Sequence, residues 1–493
     1  MLFLDIHRPR KIFLYLLIVF NVIFFSSILL VNGYPQTNDI LHILKIANLE
    51  GNLKFINGIY GPGYTYLTLI FSNSLTVLTV LISFLYILSN ILICSLLDFF
   101  TKNKIKDEQF SIYLITLLFH LIIITTLGLN HSDSLFLLLF YNGTLIFILG
   151  YYFKKNQIYM LGLLLVGISI LFRHQGPIFL FFLSIFFLMF EKWQCKKNLT
   201  LFAKRYIKIF FILSIPIIIS QIHLSSIEAV AEWQTRFKLH FFVHGDLWGD
   251  WRDLKYILES RQYNDFNIFE VDLNHLLKII FNHLYGALRI LYPFIIIFLI
   301  VFYISKKKII FFSLCLFLAY ILIVLPGYHR GYYPGILISF LSVLICFKEI
   351  TERKIASLFI FIFLFGHLIY VTEKYASNMI YIYKINNDIK NNIAPLLNEK
   401  KIKYQNIFSD DYNFYTTKLD GDITRLCNWG GWFLNHPYLN NYYPREVILG
   451  KKNAYCDIKV FITREKEISE KYFLTGKFDK IYKTEMYYLL FKN

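Results

Sequence analysis

Four short polar clusters stand at the edges of long apolar runs, and they hold the residue types that could do chemistry. Asn38–Asp39 follows the first apolar run and precedes an amphipathic stretch, with His42 close by, that ends in Gly61–Pro62–Gly63–Tyr64. A carboxylate there can take a proton if it faces a protein interior, because ionisable groups near a membrane are costly and usually functional. Asn38–Asp39 can equally begin a helix as its cap. Asn130, His131 and Asp133 lie between two further apolar runs. They offer a second carboxylate, or a cap for the run that follows. Two ligands at His131-x-Asp133 do not make a metal site. Arg173, in GISILFRHQGPIFL, must either reach the membrane surface or meet an anion. Arg330 sits in LPGYHRGYYPGILISF with His329, Tyr332 and Tyr333 beside it. A guanidinium suits phosphate because its planar fork binds two oxygens at once. The same cluster also fits an aromatic belt with one surface-seeking arginine.

The elements that must carry these residues are membrane helices. The chain has 493 residues, 56% of them hydrophobic, with mean hydropathy +0.51. About 20 apolar residues cross a bilayer as a helix, and the runs here are continuous rather than alternating, which excludes a barrel. About eleven spans are predicted on that length, near 11–31, 67–97, 111–128, 135–153, 158–172, 177–190, 209–224, 288–304, 309–325, 334–347 and 355–371. Basic residues mark every second loop: Arg8 to Lys11, Lys102 to Lys106, Lys154–Lys155, Lys192 to Lys208, Lys306 to Lys308 and Lys348 to Lys354. The positive-inside rule makes those loops cytoplasmic, so the N-terminus is inside and the four polar clusters are outside. The net charge of +17 is largely this excess, which argues against nucleic acid as the partner. The first apolar stretch is too long for a cleaved signal and is expected to remain as a span.

The predicted organisation is a transmembrane catalytic domain over 1–371, with external loops 32–66 and 225–287, and an extracytoplasmic α/β domain over 372–493. Loop 225–287 carries Trp233, Trp248 and Trp251, and residues 273–288 have helical periodicity that suggests a helix lying in the interface. After 372 the composition turns to Asn, Lys, Asp and Tyr. KYQNIFSD, DIKVFITR and YYLLFK read as strands, and NNDIKNNIAPLLNEK reads as helical or turn-rich. Cys427 and Cys456 are the two cysteines in this part, and a structural disulfide between them is one expectation. There is no CxxC, zinc spacing, P-loop, GxGxxG or cytoplasmic Asp-x-Asp.

The acid after the first span, the Gly/Pro turn and the basic–aromatic–Pro cluster resemble the glycosyltransferase C superfamily. The likeness is greatest to its bacterial protein mannosyltransferase and lipid A aminoarabinose transferase-like branch. The resemblance covers the whole chain. It implies a polytopic α-helical fold of about eleven spans with the small outer domain, in a bacterial inner membrane. It also implies an enzyme that moves a hexose or pentose from a polyprenyl-phosphate donor to a glycan, lipid or protein acceptor. Asp39 matches the acid that activates the acceptor, with Asn38, His42 and Tyr64 supporting it. Ile40 stands where many relatives have a second acid, and Asp133 is the candidate replacement. Arg173 matches an Arg-x-x-Gly, and Arg330 with His329 and Tyr333 matches the donor-phosphate side. No cofactor is implied, and a divalent metal has no support in the residues. A flippase of lipid-linked glycans and an enzyme like the O-antigen polymerases or ligases are the alternatives.

Overall fold

The structure, a computed structural model, describes residues 8–30, 62–70, 76–101, 106–127, 132–172, 199–226, 273–305, 333–346, 349–350, 352–403, 406–409 and 459–492, with positions 311 and 315. These residues are mostly helical, with one small C-terminal sheet. Among the described residues three helices are long and apolar enough to cross a membrane, at Val80–Phe99, Ser134–Tyr152 and Lys354–Glu399, so the chain is a membrane protein. The fold separates into two compact units, one of residues 1–21, 57–66 and 76–373, the other of residues 22–56, 67–75 and 374–493.

The helices that lie wholly or partly in the first unit are, in chain order, α1 (Arg8–Leu30), α2 (Pro62–Ile70), α3 (Thr76–Thr101), α4 (Lys106–Leu127), α5 (Ser132–Tyr152) and α6 (Asn156–Ser169). A 3-10 turn, Ile170–Phe172, closes α6. Then come α7 (Leu199–Ser226), α8 (Leu273–Ser305), α9 (Tyr333–Ile345) and α10 (Lys354–Asp388). Helix α5 is the axis: nearly every described side chain on it is buried, from Ser134 to Leu149. It pairs with α6 as an antiparallel hairpin that glycines make possible. A Cβ on Gly143 would meet Val166 N at 2.8 Å, one on Gly150 would meet Tyr159 N, and one on Gly162 would meet Phe147 N. Among lipids there is no hydrophobic drive between helices, so such backbone contact supplies dispersion energy that larger residues would block. An aromatic cluster joins later helices to α4: Phe119 lies 5.2 Å from Phe340 and 6.1 Å from Phe294, and Phe294 lies 5.1 Å from His367.

Three expectations are corrected. The run 67–97 contains parts of two helices, α2 and α3, rather than one span. Residues 273–288 form no separate interfacial helix; they are the first half of α8, which is 33 residues long and so extends about 50 Å. Its exposed apolar stripe runs Leu273, Leu277, Phe281, Tyr285, Leu288 and Tyr292 across the boundary at 288 at helical spacing, and Pro293 lies inside the helix. Helix α10 likewise does not stop at 371. No Gly or Pro interrupts residues 372–388, so the polar continuation stays helical.

In the second unit α10 passes into a π turn, Ile389–Ile393, and α11 (Ala394–Glu399). These pack on a sheet of order β1 (Ile407–Ser409), β2 (Val460–Thr463), β4 (Tyr488–Phe491), β3 (Lys480–Lys483), in which only β1 and β2 are parallel. Ile385, Ile389, Ile393 and Leu397 form the helical side of this core, against Ile407, Val460, Ile462, Leu489 and Phe491. A repeat of four residues drifts by about 40° per step around an α-helix. The wider π turn takes up that drift and keeps the stripe on the sheet. On the other sheet face Phe461 and Leu490 pack against Tyr472, from α12 (Lys466–Phe473), and Phe478. The alternation of Val460, Phe461 and Ile462 between the two faces is the period-two rule for strands.

Candidate functional site

One end of the first unit gathers several of the motif-bearing segments. Pro62 opens α2, where its missing N–H costs nothing. Next to it, a Cβ on Gly63 would meet Leu171 O at 2.9 Å, so the start of α2 lies directly against the 3-10 turn Ile170–Phe172. Only glycine permits this approach. Tyr64 and Thr65 are buried behind it. Because α5 and α6 are antiparallel, with Gly150 against Tyr159 and Gly143 against Val166, the 3-10 turn falls beside the start of α5. Asp133 is the second residue of that helix.

Helix α7 reaches the same end. It runs parallel to α6: Lys208 donates to Asn156 Oδ1 at 2.9 Å near one end, and Pro216 Cγ lies 3.0 Å from where a Cβ on Gly167 would be. Its last turn carries His223. Tyr66 Oη lies 3.4 Å from His223 Nε2, and the two rings meet edge-on at 5.5 Å. Both side chains are solvent-accessible, unlike Tyr64. Sequence reasoning missed this pair. The signal was present in Gly-Pro-Gly-Tyr-Thr-Tyr, whose second tyrosine falls on the opposite side of the first helical turn from the buried one.

The sequence candidates divide accordingly. Tyr64 is placed with its side chain, while Asp133 and Tyr333 are placed as helix-start positions, Tyr333 being the first residue of α9. Asn38, Asp39, His42, Arg173, His329 and Arg330 lie outside the described residues, as do Cys427, Cys456 and the three tryptophans of loop 225–287. Among the described residues no group of three or more His, Cys, Asp or Glu is disposed to hold a metal ion.

A second polar cluster lies inside the helices. His120 on α4 is fully buried, with Nδ1 2.9 Å from Tyr141 Oη on α5 and Nε2 2.8 Å from Asn90 Oδ1 on α3. Asn90 Nδ2 donates to Asn21 Oδ1 on α1 at 3.2 Å, and Asn21 Nδ2 donates to Leu17 O at 2.8 Å. Beside it Asn142 Nδ2 donates to Leu85 O at 2.9 Å, and Tyr86 Oη donates to Ile124 O at 3.2 Å. In the second unit the half-buried Arg464 guanidinium lies 5.3 Å from the Tyr381 ring. Burial draws its pKa down, while Tyr487 and Glu465 act in the opposite direction.

Comparison with known protein families, with curated proteins and with solved structures finds no match to this chain.

Proposed function

We propose that the chain is an integral membrane glycosyltransferase. It moves a sugar from a polyprenyl-phosphate donor to an acceptor on the extracytoplasmic face of a bacterial inner membrane. In this reading the chain makes about eleven spans, with the N-terminus in the cytoplasm and the C-terminal α/β part outside. The observation that carries the reading is the meeting of Gly63 with Leu171 beside the start of α5. It brings the Gly/Pro turn, the approach to Arg173 and the helix start bearing Asp133 to one end of one unit. A pore or carrier has no need to assemble three such polar motifs at a single end.

The chemistry follows from the residue types. Asp39, or Asp133 in its place, takes the proton from an acceptor hydroxyl as that oxygen attacks the anomeric carbon. The bond to the donor phosphate breaks on the opposite side, so one displacement inverts the anomeric configuration. The departing phosphate is already anionic near neutral pH and needs no acid. Arg330, with His329 and Arg173, stabilises the charge it gains. Tyr66 and His223 add hydrogen-bonding groups at the same end.

The polar chain from Tyr141 to Asn21 is the observation on the side of a lipid-linked glycan flippase. Its four side chains, however, are spent on one another and on a backbone carbonyl. A translocation path needs groups that can exchange partners with cargo.

The test is transfer by purified full-length protein in proteoliposomes carrying polyprenyl-phosphate sugars, with products read by mass spectrometry. The expected result is an inverted glycoside, and a rate about 10²–10⁴-fold lower for Asp39→Asn, whose amide cannot accept the proton. Donor movement between leaflets without any glycoside product would replace the transferase reading by the flippase.

A further inference from the structure

The polar chain, fully buried at Tyr141 and His120 and half-buried at Asn90 and Asn21, has a single direction, and a backbone carbonyl sets it. Leu17 O can only accept, so the Asn21 amide must point its Nδ2 toward it and leave Oδ1 to receive Asn90 Nδ2. Asn90 Oδ1 then faces His120, whose Nε2 must carry the hydrogen. In the neutral ring Nδ1 is left as an acceptor, and the Tyr141 hydroxyl donates to it. Each link has one donor and one acceptor, and reversing any one would break the next.

Such a chain does what apolar packing cannot. Leu, Ile and Phe side chains on neighbouring helices interdigitate almost as well after a slide of one ridge, and lipid offers no penalty for the shift. A hydrogen bond in hydrocarbon has one register, because a polar group orphaned there has no water to turn to. Four helices contribute one side chain each to this chain, and Asn142 to Leu85 O and Tyr86 to Ile124 O repeat the lock between α5, α3 and α4. Tyr141 lies about 13 Å along α5 from its first residue at 1.5 Å per residue. The polar layer is therefore near mid-membrane, and Ser132–Asp133 are near one face.

We propose that His120 is a positioning residue. Bonded to Tyr141 on one side and to Asn90, and through it to Asn21, on the other, it holds α5 at one depth and rotation against α4, α3 and α1, and thereby sets where Asp133 stands. The role assigned to Asp133 rests on the transferase reading; the lock itself does not.

The experiment uses the full chain in lipid nanodiscs, where both membrane faces are open to reagent. A cysteine placed by Ser132→Cys is labelled with a membrane-impermeant maleimide, and its rate is followed by peptide mass spectrometry, which separates it from the native cysteines. His120→Leu is expected to change that rate several-fold. His120→Gln, which keeps a donor and an acceptor, is expected to restore it. Without the cysteine label, His120→Leu is expected to lower the transfer kcat by about 10²-fold with donor KM unchanged, the signature of a misplaced group rather than a lost binding contact. A folded His120→Leu protein that labels like its parent overturns the lock. If that variant does not fold, Tyr141→Phe, which removes a single oxygen, decides on the same criterion. A parent protein that transfers no lipid-linked sugar removes the transferase reading, and the labelling rates still judge the lock.

Discussion

The two units solve the same problem, a polar group buried among apolar ones, with opposite chemistry. In the helical unit the groups are neutral: a fully buried histidine and tyrosine and two half-buried asparagines share hydrogens along one line. In the C-terminal unit the group is a carboxylate. Asp388, the last residue of α10, is 1% exposed. It accepts from Asn392 Nδ2 at 2.6 Å, Thr484 Oγ1 at 2.6 Å, Met486 N at 2.9 Å and Glu485 N at 3.3 Å. These bonds tie the end of α10 to the turn between β3 and β4. A charge survives burial when fixed donors replace its water. Mid-membrane helices have already spent their backbone N–H groups on themselves, so few such donors are free. Neutral side chains, each both donor and acceptor, are what remains. The contrast teaches that the backbone available to a site decides whether a charge can be kept there.

The largest effect should come from deleting the charge. Asp388→Ala leaves the donors of the β3–β4 turn without their acceptor, and each lost bond to the charged group is worth about 1.5–3 kcal/mol. Hydrogen exchange of full-length protein should rise sharply in peptides covering 480–491 and hardly at all in α5. An equal rise in both would show that the units do not respond separately.

Next comes the glycine contact that stands in the helical unit where polar bonds are few. Gly143→Ala puts a methyl 2.8 Å from Val166 N, and overpacking of this kind costs about 1–3 kcal/mol. The thermal midpoint of the purified protein should fall accordingly. An unchanged midpoint would mean that α5 and α6 can part without loss.

Tyr141→Phe is smaller again. Hydrogen bonds between membrane helices average about 0.6 kcal/mol and reach about 1.7, because the unfolded helices find other partners in the membrane. A loss above that range would place the neutral chain on a par with the Asp388 clamp and erase the contrast. At the bottom of the scale is Lys466–Glu470, an exposed pair at 3.5 Å on α12. Glu470→Gln should cost about 0.3–0.5 kcal/mol and nothing measurable in high salt.

Much of this architecture was legible one segment at a time. The apolar runs announced α1, α4, α5, α6, α7, α9 and the first half of α10. The β-forming clusters marked β1, β2 and β4. Strand β3 gave no signal: Lys480–Ile481–Tyr482–Lys483 has its side chains largely exposed at a sheet edge, where lysines keep an edge from pairing further. The candidate site was legible as a set of residue types at the ends of apolar runs. The pairing of Tyr66 with His223 was not, because the partners are 157 positions apart.

Sequence alone determined that this is a chain of membrane helices with polar motifs between them, since hydropathy and charge act over a helix's own length. Only the tertiary structure decided that Gly63 meets Leu171, that Asp388 holds the β3–β4 turn, and that His120 joins four helices. Each of these depends on the register between distant segments. That register is set by a few directional bonds and close backbone contacts, whose partners no local pattern names.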